Sequence, residues 1–555
     1  MIQIKAVFPD GMSQCITERE GITAQQLIQK YNIETAAPIL TCRINQCSSR
    51  LDTPIMEDST VYLDTLQTSY ANMAYQETLS LVYRKAIHDL FGKDVQVTIN
   101  NSLSKGLFTE IHIPHITDEI CEQITLQMQQ IIDADLPIVE VCLLREQLLP
   151  YLKKKHMEEY DLVESAYDLE TAYFDTVGEE TSVFCQHLLP STRYLQYFEV
   201  RRYRNGVLLR FPHPSDPTHI PPYEEQKLLY DAFAEETRWD KLTGINYASD
   251  LNQNVRTKEL KDAVLLNEAL HEKKIAEIAD EIHQKGKRII LIAGPSSSGK
   301  TTFAKRLCIQ LRVIGLRPLY LGTDDYFINR CDMVPDADGK LDFEGLSAVD
   351  TALFTEQMNA LLEGKKVDLP TFDFMEGKKM YGKRIVSIDA AQPIVIEGIH
   401  GLNPALTQGI PEDAKFRIYI SPLTQINIDS LLRVPTTDAR MLRRIVRDYR
   451  TRGKSAAETI REWPSVRKGE DYNIFPYNAN ADAFFNSQCV YELAVLKKYA
   501  EPLLKNIDSQ EDVYPEAQRM LKFLSFFVAV QEDKWIPNPS IVREFIGGSS
   551  ILDEL

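Results

Sequence analysis

Eight consecutive residues, Gly294-Pro295-Ser296-Ser297-Ser298-Gly299-Lys300-Thr301, carry the spacing G-x-x-x-x-G-K-T. Glycines at both ends of such a loop let the backbone turn tightly, so that successive N–H groups converge on one point and cradle an anion. A lysine at the seventh place adds a mobile positive charge, and the hydroxyl after it suits a hard divalent cation. This is the equipment for holding a polyphosphate and stabilising charge on a phosphoryl group in transit. The flanks agree. Residues 288–293 form an apolar run suited to a buried strand, and residues 301–307, Thr302 among them, open a helical pattern. A helix N-terminus directed at the loop adds its own positive end.

Phosphoryl transfer also needs an oriented acceptor, a metal and cations for the developing charge. Leu319-Tyr320-Leu321-Gly322 runs into Asp324 and Asp325, and carboxylates at the C-terminal end of a sheet strand lie on the rim where ligands bind. Asp324 is the candidate to accept the proton of an attacking hydroxyl; a polar turn is the other reading of the pair. Pro393-Ile394-Val395-Ile396-Glu397 is a second apolar strand ending in an acid. Thr301, Glu397 and Asp324 are the oxygen donors placed to hold Mg²⁺, Glu397 through water. Arg440, Arg443, Arg444 and Arg447 follow i, i+3, i+4, i+7 and share a helical face, with Arg450, Arg452 and Lys454 beyond them. A lid closing over a triphosphate is one use of such a face. A solvated basic face or an RNA-binding stripe is the other.

The elements that must position these groups alternate strand and helix over residues 284–510, with strands expected at 288–293, 318–322, 394–397 and 416–420. That alternation predicts an α/β domain with a parallel sheet. Residues 226–283 read as a helical linker, helical over 223–237 and 257–284, with a polar loop over 246–254. Residues 511–555 read as a helical packing appendage. Residues 1–66 show two strands, a helix capped by Thr23 and two further strands, a β-grasp order; residues 67–225 read as an α+β domain. The chain is thus expected to be multidomain, α+β followed by α/β.

With 555 residues there is room for three or four cores. The hydrophobic share of 44% and charged share of 26% are those of a globular protein. A net charge of −18 argues against a broad duplex-binding surface. Nine cysteines, scattered and without a C-x-x-C pair, read as reduced thiols of a cytoplasmic protein. Met1-Ile2-Gln3-Ile4-Lys5 has no signal-peptide build, and no apolar run is long enough to span a bilayer.

From residue 288 to 487 the motifs resemble the uridine kinase and phosphoribulokinase family of P-loop kinases. The likeness rests on the phosphate loop, Thr323-Asp324-Asp325-Tyr326-Phe327, Leu341-Asp342-Phe343-Glu344, Leu369-Pro370-Thr371-Phe372-Asp373-Phe374, Glu397-Gly398-Ile399 and Arg443-Arg444-Ile445-Val446-Arg447-Asp448. The resemblance implies ATP held by Gly294 through Thr302, Asp324 activating a nucleoside 5′-hydroxyl, and Asp342 and Arg444 on the sugar hydroxyls. It places Arg447 and Arg452 at the phosphates. Three groups that read a pyrimidine in that family are altered: Phe372 replaces an aromatic hydroxyl, Gly377 a histidine and Lys454 an arginine. Loss of polar contacts to a base should change which base is preferred.

Upstream, Phe8-Pro9-Asp10-Gly11, Arg43-Ile44-Asn45 and Glu57-Asp58-Ser59-Thr60-Val61 give residues 1–66 a resemblance to the TGS domain of threonyl-tRNA synthetases. Residues 67–225 resemble the second additional domain of threonyl- and alanyl-tRNA synthetases, the one that edits mischarged tRNA. That family's metal positions fall near Glu77, Leu81, Phe184 and Leu188, which do not offer its ligand set. The leftover pair Cys185 and His187 is too small for a zinc site, and His112 and His115 read as strand-end surface.

The leading expectation is an ATP- and Mg²⁺-dependent kinase of a nucleoside, uridine kinase-like with its base preference open. An RNA- or ribosome-associated P-loop regulator and a kinase of another sugar-type acceptor are the alternatives. RNA contact through the N-terminal half and a homo-oligomer are left open.

Overall fold

The computed structural model describes residues 1–552 except His156, Glu158, Cys185, residues 335–341 and Gln425, and without the side chains of Lys155, Glu236 and Asp240. Cys185 of the metal reading and Leu341 of the kinase motif therefore lie outside the described residues.

Alternating burial along Ile2–Val7 turns Ile2, Ile4 and Ala6 inward. This strand pairs antiparallel with Ser13–Glu18 and parallel with Ser59–Thr65; Ile39–Ile44 and Cys47–Ser49 complete a five-stranded mixed sheet. The Thr23 hydroxyl accepts from Gln26 N, and the Gln26 side chain returns to Thr23 N, so a reciprocal cap starts the helix Ala24–Lys30 that covers this sheet with Leu27.

The long helix Ser69–Phe91 is buried along much of its length. Near it stand a four-stranded sheet (Glu199–Tyr203, Gly206–Arg210, Gly106–Ile111, Val97–Leu103) and a three-stranded one (Ile138–Leu144, Thr171–Val177, Glu180–Phe184). Leu81, Phe184 and Leu188 are fully buried apolar side chains. His187 is engaged by Glu140 at 2.9 Å and by the Tyr173 hydroxyl at 3.3 Å. His112 and His115 are exposed.

Three helices follow, Lys227–Thr243, Ala248–Thr257 and Leu260–Gln284. The expected polar loop over 246–254 is corrected: most of it is helix, because the Asp250 carboxylate accepts from Asn246 N and Tyr247 N and caps it.

The next sheet has five strands in the order Leu319–Gly322, Ile394–Glu397, Ile289–Ala293, Lys415–Ser421 and Ala483–Asn486, all parallel. Its first-formed strand in sequence, Ile289–Ala293, lies in the middle and is wholly buried. The chain therefore leaves the sheet centre at residue 294, beside a crevice between neighbouring strand ends. The last strand was not expected. Ala483–Asn486 is only four residues long and lacks a conspicuous apolar run. An antiparallel hairpin, Val367–Asp373 with Lys378–Val386, stands out from this sheet.

One apolar core runs through most of the molecule. It joins Tyr75 and Phe184 of the N-terminal half to Phe303 and Phe485 beside the central sheet and to Ile541 and Phe545 near the end of the chain. Hydrogen bonds cross the same boundary: Ile99 N donates to Ser430 O at 2.8 Å, and the Asn427 side-chain Nδ2 to Ile99 O at 2.8 Å. No described helix is long and apolar enough to cross a membrane.

Candidate phosphate-transfer site

The loop 294–301 connects the central strand to the helix Lys300–Val313. Gly294 is obligatory, since a Cβ there would lie 2.0 Å from Ile420 O. Ser297 and Gly299 take left-handed backbone angles, φ +59° and +82°, which curl the loop around its own N–H groups. The hydroxyls of Ser297 and Ser298 are buried and have no hydrogen-bond partner among the described residues. Donors left open inside a loop of this shape fit an anion.

Lys300 Nζ rests on Gly294 O at 2.9 Å and Pro295 O at 3.1 Å. Burial lowers its pKa, while Glu397, Glu544 and Asp324 pull the other way. Thr301 Oγ1 donates to Glu397 Oε1 at 3.0 Å, and the Tyr320 hydroxyl donates to the same oxygen at 3.2 Å. Burial raises the Glu397 pKa against the pull of Lys300. Hydroxyl and carboxylate oxygens in contact make a hard donor set that fits Mg²⁺.

The two aspartates part company. Asp325 is bound to the hairpin: Arg384 Nη1 donates to Oδ2 at 2.9 Å and Phe372 N to Oδ1 at 3.3 Å. Asp324 is exposed, and its charge is coupled to that of Lys300. Desolvation raises its pKa, Lys300 lowers it, and Asp325 and Glu344 add to the rise.

The arginine helix, Thr436–Arg452, departs from the expected lid. Arg440 and Arg443 are buried, and each is paired with a buried glutamate, Glu470 and Glu492. Arg440 Nε donates to Ser296 O at 2.9 Å, Arg443 Nη1 to Ser297 O at 3.3 Å, and Arg444 Nη1 to Ser296 Oγ at 2.8 Å. Three cations of one face thus hold the phosphate loop from outside. Three of the four, Arg440, Arg443 and Arg444, are buried, which counts against an RNA-binding stripe as well. Arg444, Arg447 and Arg452 converge on the buried Asp448 at 3.3, 3.3 and 3.2 Å. Arg447 is the one that also interacts with Lys300 and Glu544, and burial lowers its pKa.

The residues expected at the acceptor have separate surroundings. Asp342 is exposed, and its Oδ1 accepts from Glu344 N at 2.9 Å and Gly345 N at 3.0 Å. Phe372 is buried, edge-on to Phe327 and Phe374. A Cβ on Gly377 would meet Arg330 Cβ at 2.8 Å, so the Arg330 side chain occupies the space beside that glycine. Lys454 Nζ is engaged by both Glu462 oxygens, at 2.6 and 2.8 Å.

Four groups at the site had no sequence signal: Glu470, Glu492, Glu544 and Tyr320. The first three reach the loop or its arginines from far along the chain, and Tyr320 looked like an ordinary strand residue.

Residues 289–494 match the Phosphoribulokinase / Uridine kinase family. The chain is 29% identical over 180 residues to a uridine kinase of Ligilactobacillus salivarius, covering 32% of this chain and 75% of that one. It is 29% identical over 193 residues to the uridine kinase of Escherichia coli (strain K12), covering 34% and 79%. A solved structure of a possible uridine kinase from Bacillus stearothermophilus aligns with 38% of this chain and 97% of its own, at 19% identity and a TM-score of 0.26. The matched stretch begins on the central strand and spans the loop, the Thr301–Glu397 pair, both aspartates and the arginine helix. Residues 289–494 form a domain of the phosphoribulokinase and uridine kinase family.

Proposed function

We propose that this chain transfers the γ-phosphate of ATP to the 5′-hydroxyl of a nucleoside, with Mg²⁺. The observation that carries the reading is the division of labour between the two aspartates. Asp325 is tied to the hairpin, whereas Asp324 is exposed and its charge is coupled to that of Lys300. A base on one side of the transferred group and a cation on the other is what in-line transfer to an alcohol requires. Asp324 takes the proton as the acceptor oxygen bonds to phosphorus and the bridging oxygen leaves with ADP. Lys300 and Arg447 balance the charge. Thr301 and Glu397 would hold Mg²⁺, whose contribution is to neutralise phosphate oxygens. A regulator that hydrolyses its nucleotide would instead need a group that positions water.

The acceptor's base is the open part of this reading. Phe372 offers no hydroxyl, Arg330 stands beside Gly377, and Lys454 is neutralised by Glu462. Base selection is therefore expected to differ from that of the uridine kinases it resembles.

The experiment is incubation of the full chain with γ-labelled ATP and a panel of ribo- and deoxyribonucleosides and sugars, beside Lys300→Ala. Label on a nucleoside, lost by about 10²-fold or more in a folded Lys300→Ala protein, supports the reading. Label released only as inorganic phosphate, or undiminished turnover in the variant, refutes it.

A further inference from the structure

The helix that starts at the phosphate loop ends its free donors at Thr302, because Phe303 N is the first to bond back, onto Gly299 O at 3.0 Å. Free N–H groups at such a start are the receiving end for an anion. At Thr302 that end is already engaged. Thr302 N donates to Glu544 Oε2 at 3.3 Å, and the Thr302 hydroxyl donates to the same oxygen at 2.6 Å. Glu544 comes from the short helix Val542–Ile546 and is buried.

Its neighbours press on the loop as well. Ile541 Cγ2 lies 2.6 Å from where a Cβ on Gly299 would stand, and the Phe545 ring lies 4.9 Å from the Arg443 guanidinium. Arg450 donates to Phe545 O and to Glu544 O, each at 3.2 Å. Electrostatically Glu544 raises the pKa values of Lys300 and Arg447 and helps raise that of Glu397. The expected packing appendage thus brings a negative charge into the donor site.

A carboxylate at a helix start is a common stabilising contact. What sets this one apart is its company: the buried, unpartnered hydroxyls of Ser297 and Ser298, and the lysine and arginine that would neutralise a donor's phosphates. A triphosphate and a carboxylate cannot both use the Thr302 donors, and they repel each other in a buried site.

We propose that Glu544 is a resident anion of the phosphate-donor site, holding the place of a donor phosphate at Thr302, and that binding of a nucleoside triphosphate displaces it. The inference rests on the ATP reading above. It makes donor affinity depend on how firmly the C-terminal segment is seated, since the apparent affinity falls with the fraction of molecules in which the site is open. That seating is shared with the rest of the chain. Asn252 clasps the segment's approach, its Nδ2 donating to Phe526 O and its Oδ1 accepting from Val528 N, both at 2.8 Å.

The test is equilibrium binding of a fluorescent, non-hydrolysable ATP analogue with Mg²⁺ to the full chain and to Glu544→Gln, which keeps the shape and an acceptor oxygen but not the charge. The variant is expected to bind roughly tenfold tighter or more, the weight of one opposing charge. Hydrogen exchange of residues 540–547 in the unaltered protein is the second measurement, and saturating analogue should speed it. Equal or weaker binding by the variant, or slower or unchanged exchange on binding, overturns the proposal. If both proteins bind the analogue equally, the ATP reading survives and the displacement falls; if neither binds, both fall.

Discussion

Ser296 N donates to Glu470 Oε1 at 3.0 Å, so a carboxylate from the helix Ala456–Asn473 holds the mouth of the phosphate loop. The same oxygen is paired with Arg440, whose Nε holds Ser296 O at 2.9 Å. One residue of the loop is therefore gripped at its N–H and its carbonyl by two members of a buried ion pair, fixing the loop before any ligand arrives.

Glu470→Gln should therefore act on stability and on the loop together. It leaves the buried Arg440 without its counter-charge, a change that typically costs about 3–5 kcal/mol. Thermal melting should fall by several degrees, and nucleotide affinity should fall with it. An unchanged melting temperature would show that the pair bears no load.

Asp324→Asn should lower turnover by about 10²–10⁴-fold with little effect on nucleotide affinity, the range for loss of a general base. Asp325→Asn should instead loosen the hairpin, raising the acceptor KM more than it lowers kcat, because Arg384 and Phe372 N lose a charged partner. The pH profile follows from the direction of the shift. Desolvation holds the Asp324 pKa above the usual carboxylate value, and the base works ionised. Activity should rise with pH along a limb placed above that of an ordinary aspartate, about pH 3.9. A limb at or below that value, or equal losses in both variants, would move the base elsewhere.

Asp175 gives a stability prediction in the N-terminal half. It is fully buried, neither of its oxygens has a hydrogen-bond donor among the described residues, and Arg50 Nη1 stands 3.9 Å away. Burial pushes its pKa up to about 9, against the lowering effect of Arg50. The folded chain then keeps a proton that the unfolded chain loses near pH 4, so this group withdraws stability as pH rises from there toward 9, by at most about 1.4 kcal/mol per pH unit. Asp175→Asn should melt higher than the parent near pH 8 and show a flatter dependence on pH, which melting curves across a pH series will measure. A variant that melts lower at every pH would show that the carboxylate is needed as an anion.

The fragment 284–555 should not fold as an independent unit. All the phosphate chemistry lies within it, but the core it shares with Tyr75, Leu79 and Phe184 would be left open. Poor solubility of the fragment and one calorimetric transition for the whole chain are the expected results. A soluble fragment with native-like melting would mean that the two halves fold separately.

The phosphate loop was legible because its signal is local: a strand, two glycines, a lysine and a helix start within a few residues. The reciprocal cap at Thr23 was legible for the same reason. The arginine face was read correctly as a face but not as buried, since what buries Arg440 and Arg443 is two glutamates 30 and 49 residues further on. No periodicity links such partners. The polar hairpin strand Lys378–Val386 and the four-residue Ala483–Asn486 had too little apolar alternation to register. Glu544 was the least accessible of all, 242 residues from the threonine it engages.

The core that joins Leu40 and Tyr75 to Ile541 and Phe545 also sets an order of events during synthesis. Ile99 finds its backbone partner only when Ser430 has been made, and the space beside Gly299 is filled only when Ile541 has followed. At roughly 5–20 residues per second the first interval alone is on the order of tens of seconds. Through that time the N-terminal half carries apolar faces intended for residues not yet translated. The phosphate loop therefore takes its final surroundings only after Ile541 has been made, long after its own strand and helix are complete.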